Sequence, residues 1–310
     1  MCAGLFDRYV NIGIDVAYIR SRFLIKYTPF SRWSCRACLE NKSSFRKPKG
    51  DMGLRVALVQ MKVTDGNVHA NLKRIEASLK YAIEHYSVEA AFTPELSLTG
   101  FSIPSKEDVR GAVNRIKELS DGVAIGVGAT YFEGDKTYNS YLIVRDGDVL
   151  HVRKKFMLFE PMGEHQTFAR GEPPTTFYLK DLKFSVLICY ELRFPELFAR
   201  VLDAEALVVP AAWPSSRKEH WRTLLRARAV EASSYVLGVN RWGEGLHGPF
   251  GGWSSSSTPE GETTLGEGEG LLVTELDKDK IEEWREFPSY KDRLSLLGIR
   301  PASGRRSGTS

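Results

Sequence analysis

Long apolar runs are missing from this chain of 310 residues. None approaches the ~18–20 residues that a membrane-spanning helix needs. Cysteine is scarce: Cys2, Cys35, Cys38 and Cys189 are the four. Only Cys189 lies beyond residue 51, so the body can hold no internal disulfide framework, and a reducing, cytoplasmic setting is expected. C-R-A-C at 35–38 has half-zinc spacing, but no second Cys/His pair at ligand spacing follows it. Neither a metal nor a cofactor is expected. A basic stripe is absent too. The formal net charge is +4, yet residues 1–51 hold ten Lys/Arg against four Asp/Glu, leaving 33 against 35 in residues 52–310. The excess sits in the leader, which argues against a nucleic-acid partner.

What remains is the composition of a soluble globular protein, 42% hydrophobic and 26% charged. Residues 1–51 mix aromatic and basic residues without periodicity and end in N-K-S-S-F-R-K-P-K-G-D. They lack the uncharged core of a secretory signal; an Arg-rich organelle presequence stays open, with Asp7 and Asp15 counting against it. They are expected to be a basic extension outside the fold, disordered or not made. The folded unit is expected over 52–295, and 296–310 as a flexible tail.

Within that unit the pattern is regular. L-R-V-A-L-V-Q-M (54–61) reads as a buried strand, and Leu72, Ile75, Leu79, Ile83 and Tyr86 give one apolar face to a helix over 67–86. A strand at 89–93, a helix at 106–119 and a strand at 123–130 follow. Tyr138–Val144 and Val149–Val152 flank Asp146-Gly147, a hairpin signal. Residues 154–173 read as a long loop. Strands are expected at 175–179, 184–189, 206–210, 235–240, 250–257 and 270–276, and helices at 195–202, 218–233 and 278–285. This alternation indicates one α/β domain with a mixed sheet or two stacked sheets.

Cys189 stands where an apolar strand gives way to a charged, Pro-containing turn, the usual place for chemistry in an open α/β sheet. A cysteine flanked by Val, Leu and Ile is more often a core hydrophobe, so its partners decide. A thiol needs a base or a nearby cation to become a nucleophile. Glu95 in F-T-P-E-L offers a carboxylate, a better base if burial raises its pKa. Lys155, or Lys154, in R-K-K-F-M-L-F offers a cation for an oxyanion, and Glu164 in E-H-Q-T-F a second carboxylate. The Tyr190 backbone N–H is a further oxyanion donor.

The blocks F-T-P-E-L, R-K-K-F-M-L-F and C-Y-E-L-R-F-P-E, in that order, resemble the three signature blocks of the nitrilase superfamily of carbon–nitrogen hydrolases. A-A-W-P-S-S-R-K-E-H-W-R-T-L-L-R-A-R-A-V-E (211–231), N-R-W-G (240–243) and S-T-P-E-G (257–261) resemble family segments as well. The resemblance implies an α-β-β-α four-layer sandwich that pairs into a dimer. It places Glu95 as general base, Lys155 as oxyanion stabiliser, Cys189 as nucleophile and Glu164 as the second glutamate. Met157 and Trp253 stand where relatives often carry other residues, and both are expected to reshape the pocket.

C-Y-E-L-R-F-P with W-P-S-S-R looks most like the ω-amidase branch, whose members remove the terminal amide of 2-oxo-dicarboxylic acid monoamides. Arg193 is a candidate for the substrate's distant carboxylate, the alternative being an ion pair with Glu191 or Glu196. Tyr190 and Trp213 join it as substrate-binding candidates. Hydrolysis of N-carbamoyl amino acids, other aliphatic amides or nitriles stays open, as does a non-catalytic acid-binding relative. From other classes, a cysteine–histidine enzyme would draw on His151, His165 or His220, and a redox sensor would need a resolving thiol that the body lacks.

Overall fold

Alternation along Leu54–Gln60 sends Val56 and Leu58 to one core and Ala57 and Val59 to another, so a strand without a polar face is covered on both sides. The computed structural model, which describes residues 53–299 and the segment 24–26, builds two such sheets. In chain order the elements are β1 (Leu24–Lys26), β2 (Leu54–Gln60), α1 (Val68–Tyr86), β3 (Ala90–Phe92), α2 (Lys106–Leu119), β4 (Ala124–Glu133), β5 (Lys136–Arg145) and β6 (Asp148–Lys154). There follow α3 (Glu164–Thr167), β7 (Thr176–Leu179), β8 (Leu182–Val186), α4 (Pro195–Ala199), β9 (Ala206–Ala211), α5 (Lys218–Ala232) and β10 (Tyr235–Asn240). The last are β11 (Trp242–Gly243), β12 (Phe250–Gly251), β13 (Ser255–Thr258), β14 (Gly261–Thr264), β15 (Gly270–Leu276), α6 (Lys278–Arg285) and α7 (Pro288–Ser295).

The first sheet runs β1-β15-β2-β3-β4-β5-β6 and the second β14-β13-β10-β9-β8-β7. Pairing is parallel across β2-β3-β4 and across β8-β9-β10, and antiparallel at both flanks. Phe92, Tyr141 and Leu58 of the first sheet share one core with Phe184, Val208 and Leu237 of the second. The outer face of the first sheet packs on α1 and α2, that of the second on α4 and α5. This is the α-β-β-α sandwich. Each fully buried Leu or Ile in these layers contributes roughly 1.5–3 kcal/mol.

Helix α1 forms as its pattern predicts, capped by the Asn67 side chain on the Ala70 N–H at 3.0 Å and ended by Ser87 at φ 50°. Its buried face is rotated from the expected one. Val68, Asn71, Ile75, Leu79 and Ala82 face the sheet, while Ile83 is 38% exposed. Asn71 earns an interior place by bonding Thr64 N–H, Thr64 O and Leu98 O. The Asp146-Gly147 hairpin is present, with both residues at positive φ.

Several local readings are corrected. The strand expected at 250–257 is two, because Gly252 and Trp253 both take positive φ between β12 and β13. The long loop at 154–173 carries α3, and β8 stops at Val186, short of Cys189. Strand β14 and helix α7 lack a sustained apolar period and were not foreseen. From the basic extension, the backbone of Leu24–Lys26 pairs antiparallel with β15. The rest of residues 1–52, with Cys2, Cys35 and Cys38, and residues 300–310 lie outside the described residues. Among the described residues no helix is long and apolar enough to cross a membrane.

Candidate active site

Four chain segments leaving the ends of β3, β6, β8 and β9 converge at one rim of the sandwich, two from each sheet. The turn after β3 carries Glu95. It is fixed by the Thr93 and Ser97 hydroxyls at 2.6 Å and by the Tyr141 hydroxyl, which donates to Thr93 O at 2.8 Å. Gly128 lets this turn lie against β4: a Cβ there would sit 2.3 Å from the Leu96 nitrogen. Glu95 is 1% exposed. Its Oε1 accepts from Lys155 Nζ and from Asn139 Nδ2, each at 2.8 Å, and its Oε2 from the Ala212 N–H at 3.0 Å.

Lys155 follows β6, its own N–H anchored on Asn139 O at 2.8 Å. Its ammonium also meets both oxygens of Glu164, at 2.9 and 2.8 Å. Glu164 opens α3, accepting as well from Asn139 Nδ2 at 2.7 Å and from the Phe159 N–H at 2.6 Å. Lys154 points elsewhere, to Glu133 at 2.7 Å and over the Tyr138 ring. The choice between the two lysines is thus geometric: Lys155 is the one among the carboxylates.

Cys189 begins a short 3-10 turn at φ 48°, a left-handed conformation that a non-glycine residue rarely holds without support. The thiol and the Glu95 carboxylate are close enough for each to shift the other's pKa. Burial and the adjacent Glu95 charge push the thiol well above its ordinary pKa, against the pull of Lys155. Burial alone would raise the Glu95 carboxyl, as the sequence reading supposed. Lys155, the thiol and Asn139 outweigh it and hold the carboxyl below the ordinary carboxylate value. Burial likewise disfavours the Lys155 ammonium, yet Glu164 and Glu95 raise its pKa. The resting site therefore holds a thiol, the ionised Glu95 carboxylate and the Lys155 ammonium.

These groups floor a cavity of about 320 Å³. Arg193, Tyr190 and Trp213 line it, all three anticipated, together with Arg217, Phe159 and His247, which were not. Arg193 lies 4.8 Å over the Trp213 ring and 3.3 Å from His220 Nδ1. The ion pair proposed for it with Glu191 does not form, because Glu191 is occupied by Arg153 at 2.7 Å. Trp213 is fixed by its indole N–H on Arg217 O at 2.8 Å. Met157 and Trp253 are not among the lining residues, so their departures do not shape the cavity wall. His151, His165 and His220 do not line it either; His151 stacks on Phe177 at 4.6 Å. Asn139, which does not line the cavity but bonds Glu95 and Glu164 from behind it, is the missed residue of the site. Its signal was a polar side chain inside the apolar run of β5.

A thiol, a carboxylate kept ionised and a buried ammonium at the floor of a pocket suit attack on a carbonyl carbon. A carbon–nitrogen hydrolase sequence profile matches residues 55–286. The chain belongs to the carbon–nitrogen hydrolase family. It is similar to the 2-oxoglutaramate amidase of Bacillus subtilis (strain 168), 31% identical over 252 residues that span 76% of this chain and 96% of that protein. It is also similar to an ω-amidase of Saccharomyces cerevisiae, 31% identical over 272 residues, 77% of this chain and 93% of that one. Among solved structures, the amidase of Nesterenkonia sp. AN1 with acrylamide added to its active-site cysteine superposes with a TM-score of 0.68 at 27% identity, covering 75% of this chain and 97% of that chain. The family assignment makes the protein a hydrolase of carbon–nitrogen bonds. Among the described residues of this hydrolase, no group of three or more His, Cys, Asp or Glu is placed to hold a metal ion.

Proposed function

We propose that the protein is an ω-amidase, with Cys189 as its nucleophile, Glu95 as general base, Lys155 as oxyanion stabiliser and Glu164 as the group that holds Lys155. The observation that carries the assignment is Glu95: held ionised, beside the thiol whose pKa its charge raises, and 2.8 Å from the ammonium. In the first half-reaction the sulfur adds to the amide carbon as the thiol proton passes to Glu95. The carbonyl oxygen gains negative charge against Lys155 and the Tyr190 backbone N–H. Collapse breaks the C–N bond, Glu95 returns its proton to the leaving nitrogen, and ammonia departs from a thioester. Water then attacks the thioester with Glu95 as base. The C–S bond breaks, the acid leaves, and the thiol regains its proton.

The cavity favours an acidic substrate. Among its described lining residues the carboxylates are Glu95 and Glu164, both engaged with Lys155, whereas Arg193 and Arg217 are both cationic. A planar guanidinium held over Trp213 suits a distant carboxylate. This supports the monoamide of a dicarboxylic acid, the class to which 2-oxoglutaramate belongs. The same reading, through the family resemblance, carries a homodimer and a cytoplasmic site of action, which light scattering and fractionation test. The deciding experiment is an ammonia-release screen over 2-oxo acid monoamides, N-carbamoyl amino acids, neutral aliphatic amides and nitriles. The proposal requires the acidic ω-amides to be turned over best; preference for a nitrile or a neutral amide overturns it.

A further inference from the structure

Arg153 and Glu191 are a buried ion pair outside the cavity, 3% and 0% exposed, joined at 2.7 Å. Replacing a buried pair by apolar residues is often neutral or stabilising, so stability alone gives a weak reason for one here. Its position is more telling. Arg153 stands two residues before Lys155, on the first sheet, and Glu191 two residues after Cys189, beyond the second. Glu191 Oε1 accepts from Arg153, from the Phe156 N–H at 2.7 Å and from the Met157 N–H at 3.2 Å. Its Oε2 accepts from the Ile188 N–H at 2.7 Å. One carboxylate therefore grips the residue after Lys155 with one oxygen and the residue before Cys189 with the other. Arg153 completes the tie, donating to Val186 O at 3.2 Å and to Glu172 O at 2.7 Å.

We propose that the Arg153–Glu191 pair is a positioning device for the reaction: it fixes the Lys155 ammonium relative to the strained Cys189 elbow across the two sheets. Neither residue touches the substrate. Both oxygens of Glu191 face N–H donors, so a carboxylate fits and an amide does not. Glutamine must turn its NH2 against either Ile188 or the Arg153 group, which loosens one of the two grips. The Lys155 segment then shifts relative to the Cys189 elbow, and the oxyanion forms away from the ammonium. This inference rests on the proposed roles of Cys189 and Lys155.

The test compares Glu191→Gln with wild type, after circular dichroism and thermal unfolding establish that the variant is folded. Two rates are measured: ammonia release from 2-oxoglutaramate, and modification of Cys189 by methyl methanethiolsulfonate, which needs the thiol but forms no carbonyl oxyanion. A misplacement of about 1 Å costs roughly 100-fold, so kcat should fall by about that factor while KM and thiol modification stay within about threefold. A folded variant with wild-type kcat overturns the inference, and so does an equal fall in both rates. If Glu191→Gln does not fold, Arg153→Lys, which keeps the charge and loses the fork, should show the same split with a smaller loss; wild-type kcat there is contrary. Cys189→Ala separates the two levels. An active Cys189→Ala enzyme defeats the reaction scheme, whereas a dead one beside a full-speed Glu191→Gln enzyme defeats this inference alone.

Discussion

Glu95 and Lys155, separated by 60 residues of chain, meet at 2.8 Å with side chains 1% and 2% exposed. Neither charge has water to return to, and each determines the state of the other. Glu164 joins the same ammonium, so one cation serves two buried carboxylates. Lys155→Met would leave both uncompensated. Breaking such a pair from one side costs roughly 3–5 kcal/mol, which urea unfolding of the variant should show together with loss of turnover. A variant as stable as wild type contradicts this arrangement.

Asn139 spreads the load, donating to Glu95 at 2.8 Å and to Glu164 at 2.7 Å. Removing a hydrogen bond to a charged, buried group costs about 1.5–3 kcal/mol, so Asn139→Ala should lose roughly 10- to 100-fold in kcat/KM. Asn139→Asp adds a third carboxylate to the cluster and should be worse than Ala. Steady-state kinetics on the two variants gives the order, and an active Asn139→Asp enzyme contradicts it.

The pH profile follows from the Glu95 carboxyl, held below its ordinary value of 4.5. The base is lost only when pH falls through this depressed pKa, so kcat/KM should stay level down to pH 4.5 or lower, as far as the fold survives. Asn139→Ala removes one of the lowering contacts and should move the acid limb upward. A wild-type limb above pH 5.5 would show that burial, not Lys155, dominates Glu95.

His151 makes a separate acid-sensitive contribution to folding. Burial, with help from Arg153, lowers its pKa from 6.5 to about 4. The unfolded chain binds a proton below pH 6.5 that the folded chain refuses until about pH 4, so stability falls as pH drops through that window. The loss amounts to roughly 2–3 kcal/mol by pH 4.5. His151→Phe, which can keep the stack on Phe177, should flatten this part of the slope in urea unfolding at pH 7 and 4.5. An unchanged slope contradicts the assignment.

Substrate charge is tested at Arg193. Arg193→Lys keeps a cation but loses the planar fork, so KM for an ω-amide with a distal carboxylate should rise about tenfold or more. A neutral amide of equal length should be unaffected. Equal effects on both substrates would remove Arg193 from carboxylate recognition.

Much of this site is legible in the linear sequence because each chemical group sits where an apolar strand gives way to polar residues. Glu95 after F-T-P, Lys155 after the hairpin and Cys189 after V-L-I all carry that signature. Asn139 does not, since it lies mid-strand and its partners come from two other segments. The Arg153–Glu191 tie was hidden for the same reason: Glu191 reads equally well as a partner for Arg193, and only the packing of the two sheets selects Arg153. The rotated face of α1 shows a third limit. Small Ala82 and hydrogen-bonded Asn71 suit close approach to the sheet better than Ile83, which hydrophobic spacing alone would bury.

The most direct measurement is ammonia release from 2-oxoglutaramate by purified, folded Cys189→Ala beside wild type. If sulfur forms the thioester, the variant should fall by at least about 1,000-fold, to the level left by binding and oxyanion contacts alone. Turnover within tenfold of wild type would mean that Cys189 is not the nucleophile.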